Sequence, residues 1–230
     1  MARASTKSSK SKVASKPKQM AATVPAAAAP SKTPLGKLNA VLPWLLAICG
    51  VLGTIAALVI TQDKFDLAQN PHFQPVCDLN PIISCGSVMK SHQADAFGFM
   101  NPYIGLLGFP VVITVGMAMV AGAKFKRWFW VSMQLGLTLG VAFAYWLLFE
   151  SVYRIRALCP WCLTVDVALT TAWWYTTLFV FYNGFLRWPA RWQKAGQFIK
   201  RHHTDILVFW FLLVIALILK HFWYYFGQQL

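Results

Sequence analysis

Five stretches of roughly twenty apolar residues, separated by polar links, dominate this sequence: residues 41–61, 102–123, 128–149, 160–182 and 206–226. At ~1.5 Å rise per residue, a helix of that length crosses the ~30 Å hydrocarbon core of a bilayer. No water is available there, so every backbone N–H and C=O must pair within its own segment or in a closed barrel. Unbroken apolar runs of this length select the helix. The chain is therefore expected to be an all-α integral membrane protein. Composition agrees, with 57% hydrophobic and 12% charged residues, where soluble domains carry about 25% charged residues.

The net charge is +14, and a strongly basic chain raises nucleic acid as a partner. The placement of the charges argues against it. Arg3, Lys7, Lys10, Lys12, Lys16, Lys18, Lys32 and Lys37 precede the first apolar run. Lys124, Lys126 and Arg127 lie between the second and third runs, and Arg187, Arg191, Lys194, Lys200 and Arg201 between the fourth and fifth. Alternate links thus hold sixteen basic residues, against five on the other side: Lys64, Lys90, Arg154, Arg156 and Lys220. The positive-inside rule then puts the N-terminus in the cytoplasm and the C-terminus outside. Residues 1–40 have no acidic residue and are rich in Lys, Ser, Ala and Pro. Such a segment buries too little apolar area to offset its ordering entropy, and disorder is expected. It is too long and polar for the n-region of a signal peptide, so the first run reads as an uncleaved anchor. Anionic lipid headgroups account for its charge more economically than nucleic acid, and no nucleic-acid partner is expected.

The longest link, residues 62–101, and the short link after the third run share the outer face. Between them they place four of the five cysteines there: Cys77, Cys85, Cys159 and Cys162. Cys49 lies in mid-span and reads as a small buried hydrophobe. Cys159-Pro160-Trp161-Cys162 opens the fourth run, and residues three apart share a helix face. Proline favours the first helical position, which makes Cys159 the N-cap, where the helix dipole stabilises a thiolate. Arg154 and Arg156 stand nearby in sequence as further sources of positive charge. By itself the C-x-x-C is compatible with redox chemistry, an inert staple or half of a zinc site. Cys77-x7-Cys85 is compatible with a loop staple. Together the two pairs suggest a relay, in which a thiolate of one attacks the disulfide of the other.

The segments CDLNPIISCGSVMKS (77–91), FGFMNPYIGLLGF (97–109) and LCPWCLT (158–164) resemble the bacterial branch of the vitamin K epoxide reductase family. The resemblance covers about residues 40–182. It implies a four-helix bundle around a quinone over residues 41–182, with the outer loop at 62–101. A basic tail (1–40), a basic cytoplasmic link (183–205) and a fifth transmembrane helix with the C-terminus (206–230) flank this core. Many bacterial relatives carry a thioredoxin-like domain after the bundle. These 230 residues leave no room for one, so the partner is expected to be a separate protein.

The resemblance also distributes roles. Cys162 would pass electrons to a membrane quinone of the menaquinone, ubiquinone or vitamin K type. Cys159 would exchange with Cys85, and Cys77 would be attacked by an extracytoplasmic thioredoxin-fold partner. Asn101 would hydrogen-bond a quinone carbonyl, although an Asn before Pro102 is equally suited to cap the next helix. Ser91 would border the quinone unless its hydroxyl bonds locally. Met89 and Val88 would be pocket wall, or else an amphipathic turn on the headgroups. Human-type relatives carry a tyrosine four residues after the second cysteine of C-x-x-C, where this chain has Asp166. An acid one turn inside a span is costly and marks function, as a tuner of the quinone or a proton relay, or else pairs with a cation or water. With that departure, quinone reduction follows from the resemblance more directly than epoxide reduction. The expected activity is disulfide-forming oxidation of thiols outside the cytoplasm. The alternative is a membrane scaffold with structural disulfides or a zinc site.

Overall fold

The computed structural model describes residues 34–70, 72–186 and 193–226. The chain runs through α1 (Pro34–Gln69), a short α2 (Cys85–Met89), a 3-10 turn (His92–Asp95) and α3 (Pro102–Val120). It continues through α4 (Arg127–Glu150), a π-helical turn (Ser151–Ile155), α5 (Pro160–Tyr182), α6 (Gln193–Arg201) and α7 (His203–Phe226). The described residues form no strand, only one isolated parallel bridge between Ile83 and Leu158. The expected all-α membrane architecture is present.

Four helices are long and apolar enough to cross a membrane: Leu38–Gln69, Pro102–Val120, Arg127–Ile155 and His203–Trp223. α5 matches the expected span, 160–182, residue for residue, and at 23 residues would measure ~34 Å. It is less apolar because it carries Asp166 and five threonines. Its place inside the bundle, packed against α1 and α4, makes that tolerable. Thr164 and Thr177 donate their hydroxyls to the carbonyls of Pro160 and Trp173, four residues back (3.0 and 2.7 Å).

Two expected boundaries shift. α1 starts at Pro34, so residues 34–40 are helical rather than disordered; the rest of the basic tail lies outside the described residues. α1 also runs on to Gln69, because the polar stretch after Thr61 keeps its helical path and buries Leu67 on one side. The link between α5 and α7 contains a helix of its own, α6.

α1 and α3 approach closely because small residues face each other. A Cβ on Gly53 would stand 2.3 Å from the Phe109 ring, and one on Gly116 2.7 Å from the Pro43 carbonyl oxygen. Such approach is how helices without a hydrophobic drive between them gain packing energy in lipid. Leu42, Leu46, Phe109, Val112, Trp130, Phe179 and Val180 form the main core. α7 leans on the bundle through Trp210 Nε1, which donates to Tyr145 Oη (2.6 Å), while Trp174 Nε1 donates to the His203 carbonyl (3.0 Å). At its far end Phe222 is buried with Ile82, Val152 and Leu158. The alternating helix directions bring the end of α1, the starts of α3 and α5, and the end of α4 to the end of the bundle that carries the loop.

Candidate active site

The loop between α1 and α3 folds around its own polar side chains. Asn80 Oδ1 accepts from the Ile82 and Ile83 N–H groups (2.9 and 2.7 Å), and the Leu79 N–H donates to the Ile83 carbonyl (3.0 Å). Asp78 Oδ1 accepts from the Gly86 N–H (2.9 Å) and Ser84 Oγ from the Ser87 N–H (3.1 Å), which satisfies two of the free N–H groups at the start of α2. Cys85 begins that helix and is joined to Cys77 by a disulfide. Both sulfurs are buried, Cys85 completely and Cys77 at 8% exposure, beside Val76, which is fully out in solvent.

A second segment is brought alongside by backbone pairing alone. The Leu158 N–H donates to the Ile82 carbonyl (2.7 Å), and the Ser84 N–H donates to the Leu158 carbonyl (3.0 Å). Residues 84 and 85 therefore run beside 158 and 159. Cys77, Cys85 and Cys159 belong to one buried cluster with Ile60, Leu67 and Met89, and Cys162 packs against it.

Cys159 is the N-cap of α5 and Pro160 its first residue, as the spacing predicts; Cys159 Sγ accepts from the Cys162 N–H (3.3 Å). Both are free thiols. The Cys159 thiol is held below its ordinary value, chiefly by its hydrogen bond with the Cys162 thiol. The N–H groups of Cys162 and Trp161 add to this against the opposing effect of burial. Arg154 does not serve Cys159 as an ion partner: its Nε lies 3.4 Å from Glu150 Oε2.

Cys159 and Cys162 line a cavity of about 440 Å³ enclosed by α1, α3, α4, α5 and the loop. Its walls are mostly aliphatic and aromatic, among them Ile60, Phe109, Leu137 and Phe143; its polar groups include Lys64, Ser91, Asn101 and Asp166. Val88, Met89, Ser91 and Asn101 all border it, so the expected site residues converge on one space, with Cys77 and Cys85 set behind Cys159. Two details differ from a simple binding contact. Ser91 Oγ donates to the Val88 carbonyl (2.7 Å), the local bond a loop serine makes. Asn101 makes no side-chain cap on α3. Its Nδ2 donates to the Gln93 carbonyl (2.7 Å) and its Oδ1 accepts from the Ala96 N–H (3.1 Å), because the 3-10 turn offers backbone partners that the helix start does not need. One amide hydrogen of Nδ2 is thereby used and a second remains.

The profile of the Vitamin K epoxide reductase family matches residues 44–177, a stretch that contains all of these residues. The chain belongs to the vitamin K epoxide reductase family. No curated protein matches it significantly. As a member of this family it is a quinone-dependent thiol/disulfide oxidoreductase, and the site agrees with that activity. An apolar chamber between membrane helices, with hydrogen-bonding groups and two thiols on its walls, suits a lipid-soluble quinone. Among the described residues no three His, Cys, Asp or Glu side chains are arranged to hold a metal.

Three participants escaped the sequence reading. Lys64 reaches from α1 to Asp95 Oδ1 (2.5 Å) and the Ala94 carbonyl (3.3 Å). Gln93 donates through Nε2 to Glu150 Oε2 (3.1 Å), and Glu150 is buried at the end of α4. A single acid closing an apolar run was the available signal for Glu150; nothing local marks Gln93.

Proposed function

We propose that this protein oxidises an extracytoplasmic thioredoxin-fold dithiol and delivers the electrons to a membrane quinone, supporting disulfide formation outside the cytoplasm. It would sit in the plasma membrane with its N-terminus inside and the cysteine pairs outside, as the distribution of sixteen inner and five outer basic residues indicates. The observation that carries this reading is the Ile83–Leu158 bridge. It lays Cys85 beside Cys159, while Cys159 and Cys162 face the cavity.

A partner thiolate attacks Cys77, the half of the disulfide nearer solvent, and releases Cys85 as thiolate. The second partner thiol resolves the mixed disulfide, so the partner leaves oxidised and Cys77 and Cys85 are reduced. Cys85 then attacks Cys159 of a Cys159–Cys162 disulfide and expels Cys162 as thiolate. Cys77 resolves the Cys85–Cys159 bond, which restores the Cys77–Cys85 disulfide and leaves Cys159 and Cys162 as thiols. That is the arrangement observed. The quinone, when bound, accepts two electrons and two protons. The chain's part in that step is to re-form the Cys159–Cys162 disulfide, present the free amide hydrogen of Asn101 to a carbonyl oxygen, and take up thiol protons. Asp166, the one carboxylate among the described residues lining the cavity and one turn beyond Cys162, takes these protons one at a time and hands each on toward the quinone oxygens.

Purified protein in detergent, given a reduced thioredoxin-fold protein and a quinone, is expected to oxidise the thiols. Cys162→Ser and Cys85→Ala are each expected to abolish that turnover. Wild-type rates in either variant would contradict the relay. With the resolving thiol removed from the partner, the trapped mixed disulfide is expected at Cys77.

A further inference from the structure

Glu150 is a carboxylate with only 7% of its side chain exposed, at the end of a membrane helix. The electron relay does not use it, and it does not line the cavity. A buried charge of this kind persists only with partners, and it has two. Arg154, one turn on and mostly in solvent, approaches Oε2 at 3.4 Å, and the same oxygen accepts from Gln93 Nε2 at 3.1 Å. The second contact joins residues 57 apart in sequence. Gln93 lies in the 3-10 turn (His92–Asp95) that forms part of the cavity wall, and its carbonyl accepts from Asn101 Nδ2 at 2.7 Å. A chain of two hydrogen bonds thus runs from the end of α4, through one residue of the turn, to the amide at the start of α3.

We propose that Glu150 is a positioning residue for the quinone site, its carboxylate fixing Gln93 and Gln93 fixing the Asn101 amide that faces the cavity. The proposal rests on the reading of that cavity as the quinone site. An amide with rotational freedom would spend part of its time directing its free hydrogen away from the ligand. One held by a neighbour that is itself held by a buried anion keeps a single orientation, and hydrogen bonds to charged groups are the stronger kind. Lys64 supports the same turn from α1 through Asp95 and Ala94. The turn is therefore fixed from both sides, and loss of Glu150 is expected to disturb its Gln93 end rather than release the whole loop.

The test measures quinone reduction by the full-length protein in detergent, with dithiothreitol as donor and menadione as acceptor. Glu150→Leu is expected to raise the KM for menadione about tenfold, with kcat within about twofold of wild type. Glu150→Gln keeps an oxygen that can accept from Gln93 Nε2, and is expected to stay close to wild type. Gln93→Ala is expected to reproduce the KM effect, and the Glu150→Leu/Gln93→Ala double variant to be no worse than either single one. An unchanged KM in Glu150→Leu overturns the proposal. So does a Glu150→Gln variant as impaired as Glu150→Leu, which would assign the role to the ion pair with Arg154. If Glu150→Leu does not fold, Gln93→Ala decides alone, since it leaves the Glu150–Arg154 pair intact. Wild-type protein that reduces no menadione would overturn the quinone reading itself, whereas an active wild type with an unmoved variant KM overturns only the positioning role.

Discussion

Leu158 is clamped to the outer loop by both of its backbone groups, donating to the Ile82 carbonyl at 2.7 Å and accepting from the Ser84 N–H at 3.0 Å. The link is made by backbone groups, so it responds directly to loss of the N–H. Leu158→Pro removes the donor. The variant is expected to slow electron transfer from the Cys77/Cys85 pair to the Cys159/Cys162 pair at least about tenfold, while partner thiols still attack Cys77 at the normal rate. Stopped-flow measurement of the two exchange steps separates these outcomes; equal slowing of both would argue against the bridge as the aligning element.

The thiol at the start of α5 leads to a pH prediction. Cys159 is held below its ordinary value, first by its hydrogen bond with the Cys162 thiol. A lowered value keeps the thiolate populated as pH falls below ~8.5, the ordinary thiol range, and its loss begins only at the lower, shifted value. Re-formation of the Cys159–Cys162 disulfide, the step that draws on this thiolate, is expected to persist across that window. In Cys162→Ala the largest cause is gone, and the Cys159 titration is expected to move alkaline. The ultraviolet thiolate absorbance of Cys162→Ala, minus that of Cys159→Ala/Cys162→Ala, reports it, with Cys49 cancelling between the two. A midpoint that stays low in Cys162→Ala would assign the shift to the helix N–H groups instead.

Asp166→Asn removes the proton acceptor proposed beside Cys162 and preserves shape. Quinone reduction is expected to fall about a hundredfold, in the range of a lost general base, with partner oxidation in a single turnover unchanged. Unaltered quinone turnover would mean that the thiol protons leave by another route.

Gly116 supports the scaffold rather than the chemistry. An alanine there would place its Cβ 2.7 Å from the Pro43 carbonyl oxygen and 2.9 Å from the Ala47 nitrogen, both backbone atoms of α1. Since backbone cannot swing aside as a side chain would, Gly116→Ala is expected to cost about 1–3 kcal/mol, visible as a lower thermal midpoint in detergent. Gly108→Ala, where an added Cβ meets nothing within 4 Å, serves as the matched control.

Much of this architecture is legible in the residues. The start of α5 follows from Cys159-Pro160, and its end is where the apolar run ends. Val88, Met89, Ser91 and Asn101 border the same cavity as Cys159 and Cys162, with Cys77 and Cys85 in the adjoining cluster. The limits of legibility are also specific. Hydropathy marks where a helix leaves the membrane, not where it ends, so the eight residues of α1 beyond Thr61 read as loop although they carry Lys64 to the site. Asn101 before Pro102 reads as a cap as well as a quinone ligand, because the helix start is the best local partner. Its real partners, Gln93 and Ala96, belong to a turn whose position is set by Lys64 and Glu150 on two other helices. α5 is legible as an apolar run over 160–182 despite Asp166 and five threonines, whereas the backbone acceptors that Thr164 and Thr177 find one turn back are not.

The hydrogen bonds inside the outer loop bear on speed. In the proposed relay each cycle breaks the Cys77–Cys85 bond, and a loop closed only by that bond would swing open and have to search for Cys159 afresh. Here the bonds of Asp78 to Gly86, of Asn80 to Ile82 and Ile83, and of Leu79 to Ile83 involve neither sulfur, so none of them is made through the disulfide. On the proposed relay, a reduced Cys85 is expected to keep the high effective molarity toward Cys159 that a well-oriented intramolecular nucleophile enjoys. The covalent link proposed to turn over and the non-covalent links that keep the geometry are different sets of atoms, so the proposed cycle does not require the loop to lose its shape.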